Sequence, residues 1–157
     1  MKINIIAVGK IKEKYLKEAI LEYKKRLSKF CNLNIIEINE SLAKVENSVN
    51  IERAKKDEGK LILEKVKNEY LIILDIDGKE FSTIEFSDKF EEIKNSGYSD
   101  ISFVIGGSYG LSDEVKKVAK LRLSFSKMTF PHQLFRVIVL EQIYRIFKIS
   151  NNEPYHK

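Results

Sequence analysis

Short apolar runs alternate along the chain with stretches of helical periodicity. Strands are predicted at 3–8, 33–38, 70–76 and 101–106, where the side chains are almost continuously apolar. A fifth strand or extended segment is predicted at 121–126. Because the strands are apolar on both faces and separated by helices, they indicate an α/β fold with a mostly parallel sheet and helices on both faces.

Helices are predicted in the intervals between these runs, at 12–27, 50–66, 83–94, directly after Ser112, and from Pro131 to about 149. Ser82 or Thr83 is suited to cap the third helix and Ser112 the fourth, since a hydroxyl oxygen accepts from amides of the first turn. Pro131 suits the first turn of the last helix, where its missing N–H has no partner. The sequence "DGKE" at 77–80 predicts a turn.

Length and cysteine content narrow the class of protein. A chain of 157 residues without repeats or a linker predicts one domain over residues 1–157. No apolar run approaches the roughly 18 residues of a membrane span, and the N-terminal run is too short for a signal peptide. Cys31 is the single cysteine, which excludes an internal disulfide and favours a core position in a reducing, cytoplasmic protein.

Charge is distributed unevenly along the chain. Residues 10–29 carry eight Lys or Arg against three Glu, residues 115–157 carry nine against two, and the stretch between them is acidic. Two basic flanks suit a polyanion such as RNA if folding brings them together. A lysine-rich solvated surface explains the same pattern equally well.

Candidate ligand sites follow the strand ends, because ligands of open α/β sheets bind beyond the carboxyl ends of the strands. The fingerprint G-x-G-x-x-G is absent after the first strand, and the phosphate loop G-x-x-x-x-G-K-[ST] is absent throughout, which argues against a dehydrogenase or an NTPase. Leu74 to Gly78 ends the third strand in carboxylates and a turn. The glycine-rich segment 106–110 follows the fourth strand, where it can approach a phosphate or an adenosine closely or form a turn without a ligand.

Two further stretches combine polar and aromatic residues. Phe125, Met128 and Phe130 lead into the last helix and can form an apolar floor or part of the core, while His132 can carry a proton or lie on the surface. The tail residues Tyr155 and His156 provide a stacking surface and a titratable group, although chain ends often fray. Two histidines and one distant cysteine do not make a metal site. The residues alone indicate a nucleoside-containing ligand, with RNA among the options.

Four segments together resemble one family: "AVGKIKEKY", "IGGSYGL", "LSFSKMTFPHQLFRVIVLEQIYRIFKI" and the terminal "PYHK". They are similar, over essentially the whole chain, to the small bacterial SPOUT-class methyltransferases of the RlmH family. The resemblance implies methylation of N3 of a pseudouridine in 23S ribosomal RNA, with S-adenosylmethionine as methyl donor. It also implies a deep C-terminal trefoil knot, a homodimer, and the assembled ribosome as substrate, without metal or membrane.

The resemblance assigns site residues as well. The implied cofactor pocket consists of Leu74, Gly106, Phe125, Ser126, Lys127, Met128, Thr129 and Phe130. In the implied RNA pocket, His156 accepts a proton or orients the substrate, Arg145 holds a phosphate or developing negative charge, and Tyr155 stacks on or hydrogen-bonds to the base. Lys157 keeps a charge there but lacks the bidentate contact of an arginine.

Other interpretations remain open at this point. The basic first-helix residues Lys24, Lys25 and Arg26 suit RNA contacts or a solvated face equally well. A ribosome-binding or assembly factor without catalysis on the same scaffold is the main alternative function. A nucleotide-dependent dehydrogenase is the second alternative, and the missing glycine fingerprint argues against it.

Overall fold

The computed structural model describes residues 1–156. Over this range strands and helices alternate as β1 (Lys2–Val8), α1 (Lys14–Leu27), β2 (Asn32–Ile38), α2 (Ser48–Lys65), β3 (Tyr70–Glu80), α3 (Thr83–Asn95), β4 (Asp100–Ile105), α4 (Asp113–Val118), β5 (Leu121–Ser124) and α5 (His132–Ser150). The strands form one sheet of order β2-β1-β4-β3-β5, with every neighbouring pair parallel. The α/β class and the parallel sheet are confirmed.

Helices cover both faces of the sheet, as the apolar strands predict. Ile3, Ile5 and Ala7 of β1 pack with α1, α3 and α5, whereas Ile6 and Val8 pack with α2 and α4. Side chains alternate between the faces of a strand, so each central strand supplies both cores. Among residues 1–156, no helix combines the length and apolar character needed to cross a membrane.

The prediction of a turn at 77–80 is wrong, because β3 continues through these residues to Glu80. The pairing of β3 with β5 changes register between Leu74 and Lys79, both of which lie opposite Leu123. Residues 75–78 therefore bulge outward before the strand resumes. A Cβ at Gly78 would lie 2.7 Å from the main chain of Arg122, so only glycine fits where the bulge meets β5.

Helix starts follow the predicted signals closely. Ser82 caps α3 in a capping box with Glu85, and the Ser112 hydroxyl caps α4 by accepting from the Val115 amide. Pro131 is the N-cap residue of α5, one position before the helix that it was predicted to open. The fifth strand ends at Ser124, two residues earlier than predicted, which leaves residues 125–131 as an irregular segment.

The last helix lies in the core between the first and third helices. Val139, Leu140 and Ile143 of α5 are fully buried in the cluster that also contains Leu27 and Phe90. Cys31 joins this cluster, where burial raises the pKa of its thiol to about 11. A thiol that stays protonated at neutral pH is unreactive, so Cys31 serves packing, in agreement with the core position predicted for it.

Candidate functional site

A cleft with a volume of about 390 Å³ opens at the carboxyl ends of β4 and β5, beside the bulge of β3. Its walls come from this bulge, the glycine-rich segment and the segment before α5. Residues predicted for the cofactor pocket that line it are Leu74, Gly106, Phe125, Ser126, Met128, Thr129 and Phe130. Lys127 instead lines a neighbouring depression with Ile76 to Gly78 and Glu80. The segments 106–110 and 125–130 thus line one cleft.

The glycine-rich segment forms a tight turn. The Gly110 amide donates to the Gly107 carbonyl at 3.1 Å, and Gly110 has a φ of +81°. A Cβ at Gly107 would lie 2.9 Å from Val8 and 3.1 Å from the Glu58 carboxylate. The absence of a side chain at Gly107 therefore serves packing within the protein, whereas Gly110 lies beside open space on the cleft.

The connector between β2 and α2, residues 39–47, is tied to this turn by side chains. The Ser108 hydroxyl donates to Glu40 at 2.9 Å, and the Tyr109 hydroxyl donates to Glu46 at 3.3 Å. The Tyr109 oxygen also accepts from the Ala43 amide at 3.4 Å. These contacts fasten Ser108 and Tyr109, which also line the cleft, to the connector.

Glu58 holds the connector through a hydrogen bond to its main chain. Its side chain is buried on α2, and its Oε1 accepts from the Ser41 amide at 2.9 Å. Burial raises the pKa of the Glu58 carboxyl, and the negative charge of Glu40 acts in the same direction, while the Ser41 amide opposes them. The ionised carboxylate of Glu58 is thus less favourable in the folded chain than in water.

We expect Glu58→Gln to stabilise the protein by a few degrees in Tm at pH 8 but not at pH 4. Because folding raises the pKa of Glu58, the native state binds the proton more tightly than the unfolded state. The contribution of Glu58 to stability therefore falls as the pH rises above 4.5, the ordinary pKa of a glutamate. A glutamine keeps an acceptor for Ser41 and has no charge. Thermal unfolding of both proteins across this pH range measures the difference, and an equal gain at both pH values would contradict it.

An aromatic cluster forms the apolar wall of the cleft. Phe130 stacks on Phe135 of α5 with a centroid distance of 5.4 Å, and Phe125 meets the edge of the same ring at 5.3 Å. The Ser126 hydroxyl accepts from the Met128 amide at 3.0 Å, which shapes the loop between the two rings. Met128 itself is 75% exposed, so of the three apolar residues only the two phenylalanines have a packed position.

The bulge of β3 forms another wall, and one carboxylate holds it. Arg122 donates to Asp75 Oδ2 at 2.7 Å, and Lys116 lies 3.7 Å from the same oxygen. Asp75 Oδ1 accepts from the Asp77 amide at 3.2 Å. The charge of Asp75 is therefore already neutralised, and its role in the cleft is to fix the backbone of the bulge.

His132 lines the cleft at the first position of α5. Its side chain is exposed, and no hydrogen bond to it is found in the described part of the chain. Of the two histidines, it is the one that the structure places beside the predicted cofactor pocket. Its role as a proton carrier stays a prediction.

Two of the three residues predicted for the RNA pocket lie in a separate cluster, which we call the tail cluster. It contains Arg145 and Tyr155 together with Glu141 and Tyr144. Arg145 donates to Glu141 Oε1 from Nη2 at 2.6 Å and from Nε at 3.1 Å, and its guanidinium lies 4.7 Å from the centre of the Tyr155 ring. The Tyr155 hydroxyl also donates to Glu141 at 3.3 Å. The carboxylate raises the pKa of Arg145 further. His156 is exposed next to this cluster, and Lys157 lies outside the described residues.

Glu141 is the residue that sequence reasoning missed. It accepts from Arg145, Tyr155 and the side-chain amide of Gln142 and so organises the tail cluster. Its spacing of four residues before Arg145 is the i,i+4 arrangement in which opposite charges attract on a helix, a signal that the sequence does contain. Arg145 consequently faces a carboxylate in this structure.

The cleft and the tail cluster do not form one site within one chain. Arg145 lies thirteen positions after His132 on α5, which at 1.5 Å per residue is roughly 20 Å along the helix axis. Within residues 1–156, no group of three or more His, Cys, Asp or Glu side chains is arranged to hold a metal ion. Within one chain, the cleft and the tail cluster are therefore separate.

Comparisons with known proteins agree on one family. A family model described as "Predicted SPOUT methyltransferase" matches residues 1–156. The chain is 57% identical over 159 residues to "Ribosomal RNA large subunit methyltransferase H" of Clostridium botulinum (strain 657 / Type Ba4), with 100% of both chains covered. It is 54% identical to the protein of that name from Clostridium acetobutylicum, again over 100% of both.

Solved structures of distant sequence share the fold. A tRNA (m1G37) methyltransferase from Aquifex aeolicus aligns with a TM-score of 0.53 at 12% identity, covering 92% of this chain and 70% of the other. A probable methylase family protein from Haemophilus influenzae Rd KW20 aligns with a TM-score of 0.52 at 14% identity, covering 99% and 70%. These likenesses concern the arrangement of strands and helices alone.

Proposed function

Because the chain belongs to the SPOUT methyltransferase family and matches its ribosomal RNA large subunit methyltransferase H members along its full length, we propose that it methylates N3 of a pseudouridine in 23S rRNA, with S-adenosylmethionine as methyl donor. The observation that carries the proposal is the cleft in which the turn at 106–110 meets the segment 125–130. An rRNA substrate also implies work in the cytoplasm, on the large subunit or the assembled ribosome.

The residues of the cleft fit S-adenosylmethionine. Its volume lies within the range of roughly 300–1,000 Å³ of small-molecule sites. Leu74, Phe125 and Phe130 supply an apolar slot for a purine ring, and the main chains of 106–110 and 125–129 supply polar groups beside it. Thr129 and Ser126 add hydroxyls at the rim. Lys127 was assigned to this pocket by resemblance, and we propose for it a position at the outer edge, toward the neighbouring depression.

A homodimer would bring the tail cluster of one subunit to the cleft of the other. This part of the proposal is supported by the separation of the two clusters along α5 within one chain. A dimer interface would also cover the partly exposed side of α5, where Leu134 is 41% exposed. A composite site of this kind is compatible with two-fold symmetry, since each subunit then contributes both halves.

The substrate decides what the chain's residues must do. The N3–H of pseudouridine lies between two carbonyls, so the nitrogen becomes nucleophilic on losing that proton. The bound S-adenosylmethionine supplies an activated methyl group on a sulfonium. We propose that His156 accepts the N3 proton or orients the base, that Tyr155 contacts the base, and that Arg145 stabilises the negative charge that develops on the carbonyl oxygens. For Arg145 to do so, its guanidinium must keep a free donor beside the pair with Glu141.

Two further properties follow from family membership as proposals. We propose a single SPOUT domain over residues 1–157 with the deep trefoil knot in its C-terminal part. The chain leaves β5 at one edge of the sheet and then returns toward β1, where Arg136 donates to the Gly9 carbonyl, and this path is compatible with the proposed knot. Knots are rare, so the general rules of chain connection argue against one unless the family is considered.

The direct test is methyl transfer to ribosomes that lack the modification. Radiolabelled S-adenosylmethionine and the purified protein should label the 23S rRNA, and mass spectrometry of its fragments should place the methyl group on N3 of a pseudouridine. Calorimetry with S-adenosylmethionine separates the enzyme from an assembly factor. No heat of binding at millimolar cofactor, with ribosome binding retained, would favour the assembly factor.

We expect Gly110→Ala to weaken S-adenosylmethionine binding about tenfold, whereas Gly97→Ala leaves it unchanged. Both glycines have a positive φ, +81° and +90°, and neither has an atom within 4 Å of an added Cβ. The two variants therefore carry a similar backbone penalty of about 1 kcal/mol. Only Gly110 lines the cleft, while Gly97 follows α3. Calorimetric titration and thermal unfolding of both variants measure affinity and stability, and equal affinity losses would contradict the placement of the cofactor.

A further inference from the structure

The loop between β1 and α1, residues 9–13, is fastened to the first turn of α5. The Gly9 carbonyl accepts from Arg136 Nη2 at 3.1 Å, and the Lys12 amide donates to Gln133 Oε1 at 2.8 Å. These partners are more than 120 residues apart in sequence. The loop and the helix start thus form one rigid corner of the molecule.

A buried charge underlies this corner. Arg136 is 2% exposed and forms an ion pair with Glu37 Oε1 at 2.7 Å. The same carboxylate accepts from the Ile11 amide at 3.3 Å, and the Ile11 side chain is buried. A buried guanidinium is costly to maintain. Here one of its hydrogen bonds goes to the loop directly and the other to Glu37, which itself accepts from the loop.

Because Ile11 points inward, its neighbours Lys10 and Lys12 are on the outside, and both are exposed. Neither ammonium forms an ion pair with any described residue. Residues 10–17 hold four lysines against Glu13 alone, so the loop and the start of α1 carry a net positive charge. Two arginines farther along the chain are instead paired, Arg26 with Glu22 and Arg145 with Glu141.

The position of the loop connects it with the cleft. Gln133, which accepts from Lys12, directly follows His132 on the cleft wall. One residue before Arg136, Phe135 packs against Phe125 and Phe130 in that wall. The loop is therefore held in a fixed relation to the cleft through the same turn of helix.

We propose that Lys10 and Lys12 contact the phosphate backbone of the rRNA next to the methyl-donor cleft, and that the pair of Arg136 and Glu37 holds their loop in position for it. The inference rests on the proposed function and names the surface through which its substrate is held. Ammonium groups on flexible stems suit phosphates without reading sequence. Their contribution is affinity and orientation of the RNA, while the chemistry stays with the cleft and the tail cluster.

The test is the double variant Lys10→Gln/Lys12→Gln, assayed for methyl transfer to ribosomes over a series of salt concentrations. We expect the KM for ribosomes to rise about tenfold, and the slope of log KM against log salt to fall by roughly 1.4–1.8, the value for two lost phosphate contacts. The kcat, the affinity for S-adenosylmethionine and the Tm should stay unchanged, because both side chains are exposed. Lys10→Arg/Lys12→Arg should restore the wild-type KM.

Lys60→Gln/Lys65→Gln is the matched control. It removes the same charge from exposed positions on α2, which covers the opposite face of the sheet. A similar rise in KM in both double variants would show a general effect of net charge and overturn the proposal, as would an unchanged KM in the loop variant. Sedimentation of the proteins with ribosomes gives a second reading. If the wild type binds in a way that depends on Lys10 and Lys12 but transfers no methyl group, the proposed function fails and the RNA surface stands.

Discussion

Removal of residues 155–157 is expected to lower methyl transfer at least about a hundredfold, which is the usual contribution of a positioned acid–base group. Affinity for S-adenosylmethionine should stay within about twofold, because the cleft residues are proposed to hold the cofactor and the tail to contact only the base. His156→Ala should reproduce most of the loss. Single-turnover methylation of ribosomes measures the first quantity and calorimetry the second. Equal loss of both would show that the tail supports the fold.

The variant that lacks residues 155–157 can also show whether the site is shared between subunits. Thr129 is exposed on the cleft rim, so Thr129→Trp should fill the cleft and abolish cofactor binding without disturbing the core. Each variant alone should be inactive. After the two variants are mixed in equal amounts and exchange subunits, half of the dimers should contain one subunit of each variant. Each of these dimers has one intact site out of two, so the mixture should show about a quarter of the wild-type activity. No recovery, with mixed dimers demonstrated, would contradict the shared site.

Arg136→Met is expected to lower the free energy of unfolding by about 2–4 kcal/mol, because it leaves Glu37 without its partner. The loss should lie below that of a fully buried pair, since the Glu37 side chain is 36% exposed. Adding Glu37→Gln should recover a large part of it, because a glutamine still accepts from the Ile11 amide and has no charge to neutralise. Urea unfolding of the two single variants and the double variant gives the coupling energy.

Arg26→Met is the control for this cycle, since it removes the same side chain from an exposed pair with Glu22. Its effect should be much smaller, as is usual for surface ion pairs. The KM for ribosomes of Arg136→Met and of Arg136→Met/Glu37→Gln shows what the buried pair does. If both variants have a raised KM although the double variant recovers its stability, the pair positions the loop at residues 9–13. If the KM recovers together with stability, the pair serves the fold alone.

Most of the fold could be predicted from the pattern of apolar residues. Strands buried on both faces, such as 3–8 and 101–106, have a continuous apolar signature that fixes both their type and the parallel class. Ser82 and Ser112 mark helix starts through local hydrogen bonds, which need no tertiary partner. These features depend on neighbours within a few residues, and that is why a single sequence reveals them.

Features that depend on distant partners could not be predicted in this way. The sequence "DGKE" has the composition of a turn, but pairing with β5 makes it a bulge within a longer strand. The ion pair of Arg136 joins residues 99 positions apart, and nothing next to Arg136 in the sequence indicates Glu37. Seven of the eight residues that the resemblance assigns to the cofactor pocket line the cleft, and Lys127 lines the depression beside it. Their roles in cofactor binding stay predictions.

The position of α5 between α1 and α3 has a consequence for synthesis of the protein. The helix is made after all five strands, yet it fills the centre of one core and binds the Gly9 carbonyl near the beginning of the chain. A growing polypeptide that ends before residue 132 exposes to solvent the apolar side chains of α1, α3 and the strands that belong to this core. Such an intermediate is prone to aggregate, so a nascent chain of this protein would depend on chaperones until its last helix has been translated.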